Sequence, residues 1–440
     1  MPSVPAHAIT GATARDIARS VEEGVGSGGL APGTPLPSVR GLARELEVSP
    51  TTVATAYRDL RTRGLVVTHE RSRTVVSHVP PLVSRPHAPL PEGVRDLAAG
   101  DPDPLLLPDL AATLRTLDVP VRGYGEEAIV PELARRAVAW FGADDIDASS
   151  LVAVSGALDG IERVLGTALR VGDRVAVEDP GYTGLLDLLR AMGLVPVPVP
   201  VDDDGLDPDV LAGVVGGCEA VLLTPRAHNP TGAAMTAERA DALRTVLDDV
   251  PGVLVVEDDH AADIAGAPAR TLTRGRERWA VVRSLAKTLG PDLRVAVVAG
   301  DERTVTRLAT RLRVGPGWVS TVLQHLAVAL WDAAAADGGL ERAAATYAER
   351  RRALLDALDG AGIPASGRTG LNVWVPVPEE TPVVRGLLDR GWAVQAGERY
   401  RLAAPPAIRV TVARLEPADA GAVAAAFADV LRHGSATRLG

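Results

Sequence analysis

The spacing of apolar and polar positions changes character as the chain proceeds. Residues 12–25 place Ala14, Ile17, Ala18 and Val21 at the three- and four-residue intervals of one helix face, and Gly26-Ser-Gly-Gly29 stops that helix. Leu30-Ala-Pro-Gly-Thr-Pro-Leu-Pro37 leaves little room for regular structure and predicts a loop. Ser38 is placed to cap a second helix reaching about Leu46, with Val39, Leu42, Ala43 and Leu46 inward. After a turn at Glu47-Val48, Ser49-Pro50 supplies a cap followed by proline at the first helical position. The third helix turns Val53, Ala56, Tyr57 and Leu60 inward and Thr51, Thr52, Thr55, Arg58 and Arg61 outward, and Gly64 ends it. Residues 65–68 and 74–76 then predict a two-stranded wing with Arg71 and Arg73 at its tip. Helix, turn, helix and wing of this size predict a DNA reader whose third helix enters the major groove while arginines hold phosphates. The plainer alternative is a helical cap on an enzyme, its arginines only a solvated face.

Five prolines between Pro80 and Pro91, without apolar periodicity, predict an extended spacer. The expected division is therefore 10–78 for the reader, 79–95 for the linker and 96–435 for a larger domain. In that larger domain, short apolar runs at 151–154, 174–178, 220–223, 253–256, 280–282 and 295–299 are mostly separated by segments of helix length. Alternation of this kind predicts an α/β fold with a mainly parallel central sheet covered by helices on both faces. Ligands of such sheets sit beyond the carboxyl ends of the strands.

Composition adds three constraints. With 46% apolar residues in 440, the chain can build two or three cores. Its net charge of -10 argues against coating nucleic acid or membrane as a whole, yet residues 10–78 hold nine Arg against seven acids, so the excess of acid lies entirely in the rest. Cys218 is the sole cysteine, which excludes a disulfide scaffold and a cysteine metal site, and no metal site is expected. The start of the chain lacks a charged segment followed by an apolar run, and no stretch approaches about 18 uninterrupted apolar residues. The expectation is a cytoplasmic protein with no membrane partner.

Lys287 is the only lysine; every other basic side chain among the 46 Lys and Arg is arginine. Arginine stays protonated, whereas a desolvated lysine can lose its proton and attack a carbonyl, so Lys287 is the candidate for a Schiff base. Its surroundings sharpen that reading. Ser155-Gly156-Ala157, Asp179-Pro-Gly-Tyr182, Asn229-Pro-Thr-Gly232, Asp258, and Ser284 with Lys287 follow five successive strand runs and reach one rim. A lysine bonded to pyridoxal 5′-phosphate needs a carboxylate opposite the pyridine nitrogen. Asp258 is placed for that, while Glu257 and Asp259 point to the other face of their strand. Gly156-Ala157 opening a helix offers N–H groups and a positive dipole end to a phosphate, Ser284 and Arg294 add a hydroxyl and a guanidinium, and Tyr182 can lie on the ring face. The other reading of Asp258 and Arg294 is a structural ion pair.

Two resemblances join these parts. Leu30 to Arg40, Leu42-Ala43, Val48-Ser-Pro-Thr-Thr-Val53, Ala56-Tyr57, Leu60 and Gly64 resemble the winged helix-turn-helix of GntR-type transcription regulators. Ser284-x-x-Lys287 with Arg294, Asn229-Pro-Thr-Gly232 and the Asp258 strand end resemble the fold-type I aminotransferases. Together, with Gly123-Tyr124-Gly125, Glu178-Asp-Pro-Gly-Tyr182, Glu257-Asp258-Asp259 and Tyr347-x-x-x-Arg351, the chain from about 12 to 435 resembles the MocR group of GntR regulators. The resemblance implies that Arg40 and the start of the third helix contact operator DNA; with the helix and wing positions above, the candidate DNA-binding residues are Ser38, Arg40, Ser49, Thr51, Thr52, Arg58, Arg71 and Arg73. It implies a head-to-tail homodimer in which Tyr124 reaches the partner's phosphate, and an Arg409 that grips the carboxylate of an amino acid. His260 stands where this group usually has a tyrosine bonded to the cofactor's 3-oxygen. Pro50 stands where the family often has arginine, and Arg71-Ser-Arg73 replaces a glycine-rich wing turn. The function implied is a pyridoxal-phosphate-dependent regulator that senses an amino acid or amine by exchange at Lys287. The alternative is an active aminotransferase with a silent DNA-binding domain, which Asn229 favours because it restores the aminotransferase Asn-Pro-Thr-Gly.

Overall fold

The computed structural model describes residues 7–26, 29–31, 33–62, 65–69, 73–77 and 90–436, so Gly64, Arg71 and most of the expected linker lie outside the described residues. Those described fall into two compact units, the smaller built around residues up to Ser77 and the larger holding most of the rest.

The smaller unit contains α1 (Ala14–Gly26), α2 (Val39–Glu45) and α3 (Pro50–Thr62), followed by β1 (Val66–His69) and β2 (Arg73–Val76), which pair antiparallel with Val66 opposite Val76. Ile17, Val21, Leu42, Val53, Ala56, Leu60, Val66 and Val76 meet in its core, as the helical spacing requires. The Gly41 N–H donates to Ser38 Oγ at 3.1 Å and the Thr52 N–H to Ser49 Oγ at 3.1 Å, so both expected caps form. The stretch expected to be a loop differs in one respect. Leu36 donates to the Thr74 carbonyl, and Val76 donates to that of Thr34. The segment before α2 thus pairs with β2 through one antiparallel bridge, Pro35 opposite Val75, which its prolines hid. Tyr57 Oη donates to the Pro37 carbonyl at 2.9 Å, tying α3 to that segment.

The larger unit opens with β3 (Arg95–Asp96), α4 (Leu110–Thr116) and α5 (Pro131–Gly142). There follow β4 (Leu151–Val154), α6 (Ala157–Ala168), β5 (Arg174–Asp179), α7 (Thr183–Ala191), β6 (Val195–Asp202), β7 (Gly205–Leu206), α8 (Pro208–Val214), β8 (Ala220–Leu223), α9 (Ala237–Asp248) and β9 (Leu254–Asp259). Then come β10 (Trp279–Ser284), α10 (Ala286–Leu289), β11 (Ala296–Gly300), α11 (Glu302–Val314), α12 (Thr321–Ala336), α13 (Gly339–Gly360), β12 (Asn372–Pro376), α14 (Glu380–Leu388), β13 (Trp392–Ala393), β14 (Gln395–Ala396), β15 (Ala407–Thr411) and α15 (Ala420–Ala436).

The central sheet has the order β4-β11-β10-β9-β8-β5-β6-β7. Strands β10, β9, β8 and β5 run parallel, and β11 runs antiparallel to both β10 and β4. Each of the six apolar runs overlaps one of these strands, because a strand covered on both faces has no polar side to display. Two sequence features resisted reading. The strand β6, Val-Pro-Val-Pro-Val-Pro-Val-Asp, lies near the sheet's edge, where proline is tolerated, and it buries Val197 and Val199. Gly160 admits α6 against the sheet: a Cβ there would lie 3.0 to 3.2 Å from Val298, Val154 and Val282. A second, antiparallel sheet of order β12-β15-β14 shares a core with α13, α14 and α15.

Leu60 is wholly buried among the helices of the smaller unit. Leu60→Ala is therefore expected to lower the opening free energy of α3 amides by about 2 to 5 kcal/mol, measured by hydrogen exchange in the intact chain, with amides of β9 unaffected.

Candidate cofactor site and nucleic-acid interface

The carboxyl ends of β4, β5, β8, β9 and β10 carry the polar residues expected there. Lys287 lies on α10, directly after β10, and its Nζ donates to the Gly100 carbonyl. Burial holds the amine below the ordinary lysine range; the adjacent Arg409 acts the same way, while Asp101 and Asp258 oppose it. Such an amine gives up its proton more readily than a surface lysine.

Beside it is a cradle. Gly156 precedes α6 with φ of 100°, and no side chain caps that helix. A Cβ on Gly156 would lie 2.4 Å from Arg294 Nη2, so only glycine lets the guanidinium approach. Arg294 itself has φ of 48° and donates from Nη2 to the Ser155 carbonyl at 3.0 Å. Ser284 Oγ accepts from the Ala286 N–H at 3.2 Å. Glycine backbone, helix start and guanidinium converge as an anion requires.

Three consecutive acids end β9, and all are buried. Glu257 Oε1 accepts from the Leu272 N–H and from Thr271 Oγ1. Asp259 accepts from Arg226 Nε and Nη2 at 2.9 and 2.8 Å and from Arg283 Nε at 2.8 Å, and both guanidiniums also bond to Asp144. Asp258 differs. Its Oδ1 has no hydrogen-bond partner, and burial, with Asp259 and Glu178 adding to it, pushes its carboxyl up to about 7. His260 Nδ1 lies 3.9 Å from Asp258 Oδ2, and burial followed by Lys287 lowers the imidazole to about 4, so it is uncharged at neutral pH.

Arg409 is buried on β15. Its Nη1 donates to Asn229 Oδ1 at 3.2 Å, its Nη2 donates to the Ala98 carbonyl, and its Nε has no partner. The guanidinium stands over the Tyr400 ring, 5.0 Å from its centroid. Tyr182 is partly buried, and burial, then Asp258, raises its hydroxyl. Tyr124 is not brought to this site by its own chain: it is 95% exposed, with its ring edge-on to Trp318 at 5.7 Å.

Sequence reasoning missed several members. Arg226 and Arg283 fix Asp259; an arginine within the apolar run Trp-Ala-Val-Val-Arg was the available signal. Glu178 accepts from the Thr224 N–H, and His228 Nε2 lies 3.2 Å from Glu178 Oε2 without hydrogen-bond geometry. The carbonyls of Ala98 and Gly100 left no side-chain signature at all.

On the smaller unit, Arg40, Thr51, Arg58 and Arg73 are exposed and Thr52 is half-buried. Ser38 and Ser49 are exposed, with their hydroxyls engaged as helix caps.

The residues at the large site fit pyridoxal 5′-phosphate. An anion cradle, an unpartnered buried carboxyl suited to a protonated ring nitrogen, and a desolvated primary amine stand together, as that group requires. Comparison with known proteins agrees. Residues 92–427 match the family "Aminotransferase class I and II", and residues 13–76 match "Bacterial regulatory proteins, gntR family". The chain belongs to the MocR-type GntR regulators. It is 39% identical over 425 residues to the vitamin B6 salvage pathway transcriptional repressor PtsJ of Salmonella typhimurium, covering 95% of this chain and 98% of that one. It is 26% identical over 350 residues to the HTH-type pyridoxine biosynthesis transcriptional regulator PdxR of Corynebacterium glutamicum, covering 76% of each. Among solved structures, LysN, the α-aminoadipate aminotransferase of Thermus thermophilus, superposes with a TM-score of 0.69 at 23% identity over 79% of this chain and 94% of that one, a likeness of fold. Like its MocR-type relatives, the chain is a DNA-binding transcription regulator, with pyridoxal 5′-phosphate as the cofactor of its aminotransferase-like domain. Among the described residues no helix is long and apolar enough to cross a membrane.

Burial, with the Asp259 and Glu178 charges, pushes the Asp258 carboxyl from an ordinary 3.8 up to about 7. The folded state therefore holds the extra proton between those values, and stability falls as pH rises through that window. Asp258→Asn is expected to raise the melting temperature of the ligand-free protein more at pH 8 than at pH 4. Adding the cofactor at pH 8 is expected to stabilise the wild type more than the variant. Gly156→Val pushes Arg294 out of the cradle and is expected to weaken cofactor binding at least about tenfold, about 1.4 kcal/mol, measured by absorption titration.

Proposed function

We propose that this regulator senses an amino acid or amine at Lys287 and changes its affinity for operator DNA in response. The observation that carries the reading is the unpartnered Asp258 carboxyl beside a desolvated Lys287 and a buried, partly unsatisfied Arg409, in a chain that also holds the GntR domain. In it, Gly156, the start of α6, Ser284 and Arg294 hold the phosphate; Asp258 holds a proton on the ring nitrogen; Tyr182 covers the ring; Asn229 and His260 bond its polar edge. Bound pyridoxal phosphate supplies an aldehyde that condenses with primary amines and a ring that withdraws electrons. Lys287 supplies the competing amine. Arg409 binds the carboxylate of an incoming amino acid in a bidentate manner. Arg40, Thr51, Thr52, Arg58, Arg71 and Arg73 face operator DNA, with Ser38 and Ser49 orienting the helices that carry them. A head-to-tail homodimer acting in the cytoplasm would present two readers to paired half-sites, and the exposure of Tyr124 supports a role toward the partner's phosphate.

Two further readings have their own support. The names of the Salmonella and Corynebacterium relatives tie those proteins to vitamin B6, which favours pyridoxal phosphate itself as the signal. The Asn229–Arg409 bond in an aminotransferase-like fold favours complete amino transfer.

One titration separates them. Absorption and gel-shift affinity for the chain's own promoter region are followed as pyridoxal phosphate, then amino acids, then 2-oxo acids are added. A change in DNA affinity with pyridoxal phosphate alone supports vitamer sensing, and a change only after the amino acid supports amino acid sensing. Conversion to the pyridoxamine form, reversed by a 2-oxo acid, would favour the enzyme. Arg40→Ala is expected to weaken DNA binding at least about tenfold, about 1.4 kcal/mol, with cofactor binding unchanged. Lys287→Ala is expected to remove the borohydride-trapped adduct, and an adduct persisting elsewhere would overturn the assignment.

A further inference from the structure

The segment that enters the larger unit passes over the site and is held by the two cations a ligand needs. Its beginning is anchored: β3 pairs parallel with β13, the Arg95 N–H donates to the Gly391 carbonyl, and the Leu97 N–H donates to that of Ala393. The Leu97 carbonyl in turn accepts from the Thr411 N–H on β15, two residues from Arg409. Asp96 Oδ1 then accepts from both the Ala98 and Ala99 N–H groups, at 2.8 and 2.9 Å, and turns the chain. Two carbonyls on this path take the functional cations, Ala98 from Arg409 Nη2 and Gly100 from Lys287 Nζ. Asp101 adds a favourable charge toward Lys287. Beyond it the chain is fixed again, where the Asp103 N–H donates to Tyr347 Oη and its carboxylate accepts from Arg350 Nη1.

We infer that residues 97–101 form a strap whose carbonyls occupy Lys287 and Arg409 in the ligand-free protein, so that ligand binding releases the strap. This rests on the reading of Lys287 and Arg409 as the ligand-binding cations. A ligand engaging Lys287 removes the donor from Gly100, and a ligand carboxylate at Arg409 removes it from Ala98. Partly buried carbonyls that lose charged donors must find new partners, which favours another position of the strap. In sequence the strap follows the proline-rich stretch that leads from the GntR domain, with the anchored β3 between them. The chain that joins the reader to the site therefore runs through β3 into the piece that the ligand displaces. The differential affinity of ligand for the two strap positions is the coupling free energy such regulation needs.

The test is hydrogen exchange on the full chain, read in peptides spanning 94–103. Three states are compared: ligand-free, pyridoxal-phosphate-loaded, and loaded with N-(5′-phosphopyridoxyl)-L-leucine, which presents phosphate, ring and carboxylate together. Exchange at Ala98 and Ala99 is expected to be slowest without ligand and at least about fivefold faster with the phosphopyridoxyl amino acid, with pyridoxal phosphate between. Equal protection in all three states, with absorption showing the ligands bound, overturns the strap and leaves the site assignment standing. Absence of binding overturns the site reading instead. Asp96→Ala removes the acceptor that shapes the strap while leaving Lys287, Arg409 and the cradle in place. It is expected to bind pyridoxal phosphate within about twofold of wild type and to lose the response of DNA affinity to ligand. A variant that keeps the wild-type response also overturns the inference.

Discussion

Three adjacent acids buried at the end of one strand are tolerable only if their charges are individually answered, and the way β9 answers them organises the site. Asp259 is answered by two buried guanidiniums, Arg226 and Arg283, which share Asp144 as a further partner. Glu257 is answered by a backbone N–H and a hydroxyl, and burial keeps its carboxyl near 7. Asp258, between them, has no hydrogen-bond partner at Oδ1, and the nearby Lys287 offsets only part of the burial and of the Asp259 and Glu178 charges that push its carboxyl up to about 7. Because alternate residues of a strand face opposite sides, the network that satisfies Asp259 cannot reach Asp258, yet it fixes the backbone that aims it. The strand's rigidity comes from one face, and its chemistry is left on the other.

The same division of labour explains the basic residues. Arginine carries every structural charge here because it remains cationic when buried and spreads several donors over fixed partners, as Arg283 does to Asp259, Asp144 and the Trp140 carbonyl while stacking on Trp140 and Phe141. A lysine in those positions would give fewer bonds and a weaker hold. At 287 the requirement reverses, since a permanent cation cannot act as a nucleophile. The single lysine stands where loss of a proton is useful, and Arg409 nearby helps that loss by repulsion.

What was legible in the sequence follows from the same physics. Buried parallel strands must be uniformly apolar, and the residues closing them must be polar where they meet ligand, so the strand runs and the rim of Gly156, Asp258, Ser284 and Lys287 stood out. The winged unit was legible through caps, since Ser38 and Ser49 each precede a periodic run. Backbone atoms left no such trace: nothing in Leu-Ala-Ala-Gly announces that two of its carbonyls receive Lys287 and Arg409. The β6 strand and the strand-like pairing of residues 34–36 were obscured by proline, which breaks helices but survives near sheet edges. Arg226 and Glu178 were unreadable because their partners are 33 and 46 residues away.

His260 shows how finely the proton balance of this site is set. Lys287, Arg409 and His260 lie close enough for Lys287 to depress the imidazole and Arg409 to depress the amine. Only arginine holds its charge unconditionally in such a group; the imidazole is neutral at neutral pH, and the amine is held below the ordinary lysine range. A neutral imidazole can still donate one hydrogen bond, whereas a charged one would add a second cation beside Lys287 and oppose binding of any ligand that carries its own amine. The same burial that makes His260 a poor base lowers the proton affinity of Lys287. A polar substitution that admitted water at 260 would therefore raise the proton affinity of Lys287 even if no bond to it were lost.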